Sequence, residues 1–238
     1  MSSPTPDLWD RLSAVAPSPS LGLVVATGVL ALAVTSVPEL WWRSRHLVTI
    51  VHEGSHGVAA LLTGRRLAGI RLHSDTSGLT VSKGRSRGPG MVLTTAAGYL
   101  GPALGGLACA ALLTRGHVVG MLWALLVLLA LLLLQIRNFF GLWSVLLAGT
   151  ALFVVTRWAS AEVQLALAYV LTWFLLLGSP RAVVELHRDR RRGADRFSDA
   201  AMLARLTHLP GVLWVGFFLA VTTGCLLLGG RLLLSAVS

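Results

Sequence analysis

Acidic residues are scarce in this chain, and so is charge in general. The sequence has 10 Asp and Glu against 20 Lys and Arg, and charged residues make up 13% of its 238 positions. Hydrophobic residues make up 55%, and the mean hydropathy is +0.74. These values exclude an ordinary soluble domain and indicate a membrane protein. The shortage of carboxylates within the apolar segments also disfavours a proton relay.

Cysteine is scarce as well. Cys109 and Cys225 both lie inside apolar segments, and no Cys-x-x-Cys or Cys/His spacing surrounds them. Thiols in such positions are usually small core residues. They therefore indicate neither a metal site nor a redox compartment.

The N-terminal residues lack the basic segment of a secretory signal peptide. They contain four prolines and one base, Arg11, and no clear small-residue cleavage site follows the apolar run from Leu21. We predict a flexible cytoplasmic leader over residues 1–20 and a single transmembrane domain over residues 21–238.

Long apolar runs predict an all-α polytopic membrane protein with about seven (six to seven) transmembrane helices. A span needs about 20 apolar residues, fewer if it is tilted or shielded. The second candidate is short and polar, so it requires other helices around it. Pro38, Pro180 and Pro210 stand at segment edges, where they can start or stop helices. The candidate spans are 21–37, 47–63, 91–114, 118–135, 139–156, 161–178 and 209–228.

Two polar stretches separate these spans. Residues 65–90 alternate around a Ser/Asp/Gly cluster, which predicts a small β-hairpin insertion. Residues 181–205 are rich in arginine and predict a basic cytoplasmic loop. With a cytoplasmic leader and seven crossings, fifteen of the 20 basic residues fall on the cytoplasmic side, although Arg43 and Arg45 do not. Orientation and contact with the lipid bilayer explain the arginines, so we predict no nucleic-acid partner.

Three ionisable residues, His52, Glu53 and His56, interrupt an apolar helix. The four-residue spacing puts both imidazoles on one helix face, where they can bind one Zn²⁺. Glu53 can then act as general base on a metal-activated water, which is the His-Glu-x-x-His (HExxH) chemistry of zinc hydrolases. The alternatives are a solvated helix face, a polar cluster that holds helices together, and metal or proton transport. The apolar flanking residues disfavour the solvated face.

A catalytic zinc normally has three protein ligands, so one is missing from this pair. Asp199 is our preferred third ligand, because a helix begins there and leads towards the last apolar segment. Ordinary N-capping chemistry is the alternative explanation for the Ser198–Asp199 pair. The other candidate ligands are His73, Asp75, His187, Asp195 and His208.

Five segments together resemble the site-2-protease-like intramembrane zinc metallopeptidases, in particular their small bacterial branch. The resemblance covers about residues 46–214, and HExxH is its most specific element. The segments are HEGSHGVAALLTGRRLAGIRL, DTSGLT, AAGYLGPALGG, IRNFFGLW and SDAAMLARLTHLPGVLW.

The resemblance implies an intramembrane zinc metalloprotease that cleaves transmembrane segments of membrane proteins, with one Zn²⁺ on His52 and His56 and Glu53 as base. The family's usual third ligand stands in an Asn-Pro-x-Asp-Gly type segment, which this chain lacks, so we assign that position to Asp199. Asn138 would orient substrate or an oxyanion, with helix-to-helix bonding as the alternative.

The family's membrane-associated sheet is thought to hold substrate as an added strand, and residues 70–82 could do so here. Ile70, Leu72 and Gly78 are the positions that we expect to place the substrate. The resemblance also implies a multi-pass protein of a bacterial plasma membrane, to which we assign a cytoplasmic N-terminus. A catalytically inactive relative remains the alternative function.

Overall fold

The structure is a computed structural model that describes residues 15–193 and 196–237. Most of the predicted leader and Asp195 lie outside the described residues. Within them the chain forms eight α-helices and one two-stranded sheet. In chain order these are α1 (Leu21–Ser36), α2 (Pro38–Leu62), β1 (Arg66–Leu72), β2 (Gly78–Lys83), α3 (Pro89–Leu113), α4 (Val118–Leu133), α5 (Phe139–Trp158), α6 (Ala161–Arg191), α7 (Asp199–Thr207) and α8 (Gly211–Ser235).

Four of these helices, α3, α5, α6 and α8, are long and apolar enough to span a membrane. Helices α1 and α2 meet that criterion only as a pair, bent by 102°, and α4 is shorter. The all-α polytopic class with a small hairpin is thus confirmed. The described residues give four candidate spans, or five with the bent pair, instead of seven. Predicted spans 21–37 and 47–63 belong to that one pair, and predicted span 118–135 corresponds to the shorter helix α4.

Proline explains the bend between α1 and α2. Val37 has the extended conformation (φ −75°, ψ 121°) that a following proline favours, and Pro38 begins α2 at its first position. Without an N–H, Pro38 cannot continue the hydrogen-bond pattern of α1. Helix α2 therefore begins nine residues before the predicted span and includes Arg43 and Arg45.

The predicted basic loop is wrong for residues 181–191. Helix α6 continues through Pro180 to Arg191. The proline costs one backbone hydrogen bond, but Val183 and Leu186 are buried in a core cluster with residues of α3, α7 and α8. This packing holds the helix together beyond the proline. It ends instead before Gly193, whose positive φ of 74° is typical of a helix C-terminus.

The sheet is an antiparallel hairpin in which Ile70 pairs with Thr80 and Leu72 with Gly78. A further extended segment lies along the outer edge of β1. Ile70 N–H donates to the Gln135 carbonyl (2.8 Å), and Arg137 N–H donates to the Ile70 carbonyl (2.9 Å). The outer edge of β1 is therefore already paired at this position.

Hydrogen bonds show which residues lie at each end of the helix bundle. Ala16 N–H donates to the carbonyl of Gly116, just after α3, whereas Arg181 of α6 donates to the Ser36 carbonyl at the other end of α1. Arg45 forms an ion pair with Glu185 at 3.4 Å, although our topology predicted opposite sides for them. If α1 crosses the membrane, a cytoplasmic leader and a cytoplasmic 181–205 segment exclude each other.

Candidate metal centre

The two histidines of α2 lie one turn apart and face each other. Their Nε2 atoms are 3.1 Å apart. Helix α3 passes directly beside them at Gly98, where a Cβ would lie 2.4 Å from His56 Nε2 and 2.6 Å from His52 Cε1. Only a glycine at this position lets the two helices approach so closely.

Asp199 joins the histidines from the first residue of α7. The cap of this helix is Ser198, whose Oγ accepts a hydrogen bond from Ala201 N–H (3.2 Å). The side chain of Asp199 points to the imidazoles instead, with Oδ2 at 3.1 Å from His52 Nε2 and 3.3 Å from His56 Nε2. Ser198 therefore caps the helix, and the Asp199 carboxylate contacts the two histidines instead.

These three atoms form a triangle of the size that a zinc ion requires. Zn–N bonds of about 2.0–2.1 Å in a tetrahedral site place neighbouring ligand atoms about 3.3 Å apart. The observed edges are 3.1, 3.1 and 3.3 Å. Among the described residues, His52, His56 and Asp199 are the one group of three or more ligand-type side chains that could share an ion. His73, Asp75, His187 and His208 do not take part in it.

Hydrogen bonds and charge prepare the ligands for a cation. His56 Nδ1 lies 2.7 Å from the Thr94 carbonyl, which can only accept, so Nδ1 carries the proton. In the neutral ring, Nε2 then presents a lone pair to the triangle. Burial raises the pKa of Asp199, but the positive charge of the histidines when they are protonated and their hydrogen bonds lower it further, so the pKa lies below its ordinary value.

Glu53 is held by strand β2. Its side chain is only 5% exposed. The Thr80 hydroxyl lies 2.6 Å from Glu53 Oε2, to which it donates, and 3.0 Å from the Glu53 carbonyl. At Gly78, a Cβ would come within 2.5 Å of Glu53 Cγ and Oε1. A glycine at 78 and a hydroxyl at 80 thus fix the carboxylate beside the strand.

A cavity of about 440 Å³ contains Glu53 and the ligand triangle. It is walled by the hairpin, by α2 and α3, by the end of α6 and by the start of α7. The predicted substrate-placing residue Gly78 lies in its wall. The hairpin residues that line the cavity are Thr76, Ser77, Gly78, Leu79, Thr80 and Ser82.

The other three residues predicted to place the substrate lie elsewhere. Ile70 and Leu72 are 1% and 3% exposed and pack in a core cluster with Ile136 and other apolar residues. The amide of Asn138 is used by the backbone of Leu72, donating to its carbonyl (2.6 Å) and accepting from its N–H (3.1 Å). The strand edge next to the site therefore belongs to β2 rather than to β1.

Sequence reasoning missed Thr80 and Gly98. A signal for Thr80 was present, because alternation along β2 puts it on the same face as Gly78. Gly98 stands among other small residues of α3, a composition typical of close helix contacts. Nothing in the sequence marks it among its neighbours as the glycine that faces the histidines.

The comparison with protein families matches the Peptidase M50B-like family over residues 25–229. No curated protein and no solved structure matches the chain. The matched segment includes the HExxH motif and Asp199, so it contains the complete ligand triangle. The chain therefore belongs to the Peptidase M50B-like family.

Proposed function

We propose that this protein is an intramembrane zinc metalloendopeptidase that hydrolyses peptide bonds in transmembrane segments of other membrane proteins. The observation that carries the proposal is the triangle of His52, His56 and Asp199 beside Glu53. Its location in a chain of four or five candidate spans gives the membrane setting.

The donor set fits zinc. Two imidazoles and one carboxylate are the protein ligands of many catalytic zinc sites, in which a fourth position stays open. Zinc bound there would polarise the scissile carbonyl and lower the pKa of water towards neutrality. Glu53 takes the proton of the attacking water on its carboxylate and delivers it to the leaving amine. Thr80 orients that carboxylate through Oε2.

The outer edge of β2 is the surface that can hold the substrate. A transmembrane helix cannot be cleaved while its backbone is hydrogen-bonded to itself, so the segment must unwind and find new partners. An extended peptide alongside β2 would gain strand hydrogen bonds while lying against Glu53. The outer edge of β1 cannot serve, because residues 135–138 already occupy it.

The metal centre faces the cytoplasm in our proposal. Of the basic residues that the structure describes, only Arg115, Arg157 and Arg231 belong to the other end of the bundle, and the rest cluster at the metal end. The positive-inside rule places such an end in the cytoplasm. Ala16, near the start of the described chain, donates to the Gly116 carbonyl and would then lie on the outer side. This proposal differs from the cytoplasmic N-terminus that we predicted from the sequence, which stays untested.

Cysteine labelling in intact bacterial cells tests this orientation. We expect a membrane-impermeant maleimide to label Arg157→Cys but not Arg71→Cys, since both positions are exposed and the native cysteines are buried. Labelling of Arg71→Cys alone would reverse the assignment.

Glu53→Gln tests the activity itself. We expect the variant to lose cleavage of model transmembrane substrates in detergent by at least about 100-fold, a typical contribution of general-base catalysis. It should keep one zinc per chain by mass spectrometry, because Glu53 is not a ligand. Full cleavage by this variant would refute the role of Glu53. Loss of zinc together with activity would instead assign it a structural role.

A further inference from the structure

A second cavity, of about 370 Å³, adjoins the metal cavity. The two share Ser82, Met91 and Met202 in their walls. Unlike the first, the second cavity has two arginines in its wall and, among the described residues that line it, no carboxylate. These residues are Arg65, Ser82, Gly84, Ser86, Met91, Met202, Arg205 and Leu206.

One face of β2 leads from the metal cavity to the second cavity. Gly78, Thr80 and Ser82 alternate on the half-buried face of the strand. The first two contact Glu53, as described above. The third, Ser82, accepts a hydrogen bond from Arg65 Nε (3.0 Å). The step from Thr80 to Ser82 is about 7 Å along a strand.

One face of α7 leads the same way. Asp199, Met202 and Arg205 are spaced by three residues and so lie along one side of the helix. Asp199 reaches the histidines, Met202 contacts the Thr95 hydroxyl (3.5 Å), and Arg205 lines the second cavity. Six residues of helix rise about 9 Å. Two walls therefore connect the metal centre with the arginines.

The arginines make this cavity suited to an anion. Arg65 is only 8% exposed, and it uses Nε for Ser82 and Nη1 for the Arg85 carbonyl. Its Nη2 carries two further N–H donors. Arg205 donates to the Arg196 carbonyl at 3.2 Å. Within the described part of the chain, neither arginine forms an ion pair with a carboxylate. A charge buried in this way favours a counter-charge, and a planar carboxylate matches the guanidinium geometry.

We propose that this cavity, the arginine subsite, binds the side-chain carboxylate of an Asp or Glu in the peptide substrate. The inference rests on the proposed function and adds a sequence preference to it. An extended chain advances about 3.3–3.6 Å per residue. A distance of 7–9 Å thus puts the acidic residue two or three positions from the cleaved bond. The shared walls and the continuous face of β2 favour a peptide over a lipid phosphate.

Peptide binding to an inert protein tests the subsite separately from catalysis. The sample is the full-length, zinc-loaded Glu53→Gln protein in neutral detergent. The probes are fluorescein-labelled apolar 12-residue peptides that carry Glu, Gln or Lys at one scanned position. We expect Glu peptides to bind at least 10-fold more tightly than Gln peptides at the best position. This ratio should fall as salt is raised.

Variants at position 205 make the test specific, because Arg205 is exposed at the surface of α7 and its replacement spares the core. Arg205→Gln should reduce the ratio of Glu-peptide to Gln-peptide affinity to about two or less. Arg205→Glu should bind Lys peptides more tightly than Glu peptides. Arg71→Gln, an exposed arginine on β1 outside both cavities, is the matched control and should keep the ratio. Equal or absent binding of the Glu and Gln peptides would overturn the subsite.

Two further results separate the subsite from its alternatives. In the wild-type protein, mass spectrometry of the cleaved peptides should place the acidic residue two or three positions from the cut. Cleavage without acidic preference would overturn the subsite and leave the proposed function intact. If the Glu53→Gln protein prefers Glu peptides over Gln peptides but the wild-type protein cleaves none of them, the proposed function is overturned and the carboxylate-binding cavity is retained. If Arg205→Gln instead loses affinity only for phosphatidylglycerol vesicles, a lipid phosphate is the ligand and the subsite is refuted.

Discussion

Replacement of Gly98 by alanine is the sharpest test of the metal centre. The added methyl group would lie 2.4–2.6 Å from atoms of both ligand histidines, closer than real Cβ contacts. The His56 ring cannot simply move away, since the Thr94 carbonyl holds its Nδ1 at 2.7 Å. Either α3 retreats from α2 or one imidazole leaves the triangle.

The size of the effect follows from these alternatives. Overpacking of a tight contact costs about 1–3 kcal/mol. Disturbance of the groups that orient a metal ligand typically costs 10–100-fold in affinity. We therefore expect Gly98→Ala to bind zinc at least about 10-fold more weakly, measured by competition with a chromophoric chelator on purified protein.

Gly105→Ala is the matched control, because the same helix has open space where that Cβ would stand. It should keep wild-type zinc affinity and gain slightly in thermal stability, since alanine is the better helix former by about 1 kcal/mol. Unchanged zinc affinity in Gly98→Ala, with a normal melting temperature, would show that the histidines and α3 are not arranged as described.

Two further predictions separate the neighbours of the site. Asp199→Ala should weaken zinc binding at least about 100-fold, because it removes one of three proposed ligands. Ser198→Ala should cost about 1 kcal/mol of stability through the lost cap and leave zinc affinity unchanged. If chelator competition shows that Ser198→Ala weakens zinc binding and Asp199→Ala does not, Asp199 has a structural role instead. Thr80→Val should lower kcat about 10-fold with zinc content unchanged, since Glu53 loses the hydroxyl that orients it. Thr80→Ser should retain activity. Equal kcat values for Thr80→Val and the wild-type protein would show that the Thr80–Glu53 hydrogen bond does not contribute to catalysis.

The motif on α2 could be predicted because its chemistry is local. The four-residue spacing of His52 and His56 fixes their shared helix face wherever that helix lies. Asp199 was harder to assign, since a Ser–Asp pair at a helix start is equally typical of capping. The structure separates the two residues by giving the capping bond to Ser198.

The path of the chain was harder to predict than its helices. Hydropathy finds apolar segments, but it does not show whether Pro38 bends a helix pair or whether Pro180 ends a helix. Pro38 does bend its helix pair, and Trp41 just after the bend donates to Glu185 of α6 (2.7 Å). Pro180 does not end its helix, because Val183 and Leu186 are buried in the core beyond it.

The substrate-placing residues could not be located from alternation along the hairpin alone. That pattern predicts a hairpin, but the identity of its free edge depends on a third segment. Residues 135–138 belong to a distant part of the sequence, and they pair with Ile70 and Leu72 only in the folded chain. Two of the predicted residues, Ile70 and Leu72, therefore lie on the covered strand, whereas the third, Gly78, lies on β2.

The position of Asp199 late in the chain has a consequence for biosynthesis. The ribosome makes His52 and His56 long before α7, so a growing chain has only two of the three ligand residues during most of its insertion. The third ligand residue, Asp199, is synthesised after all of the enclosing membrane helices except α8. On the proposed function, the growing chain therefore has no complete metal site for cleaving neighbouring proteins until α7 has been made.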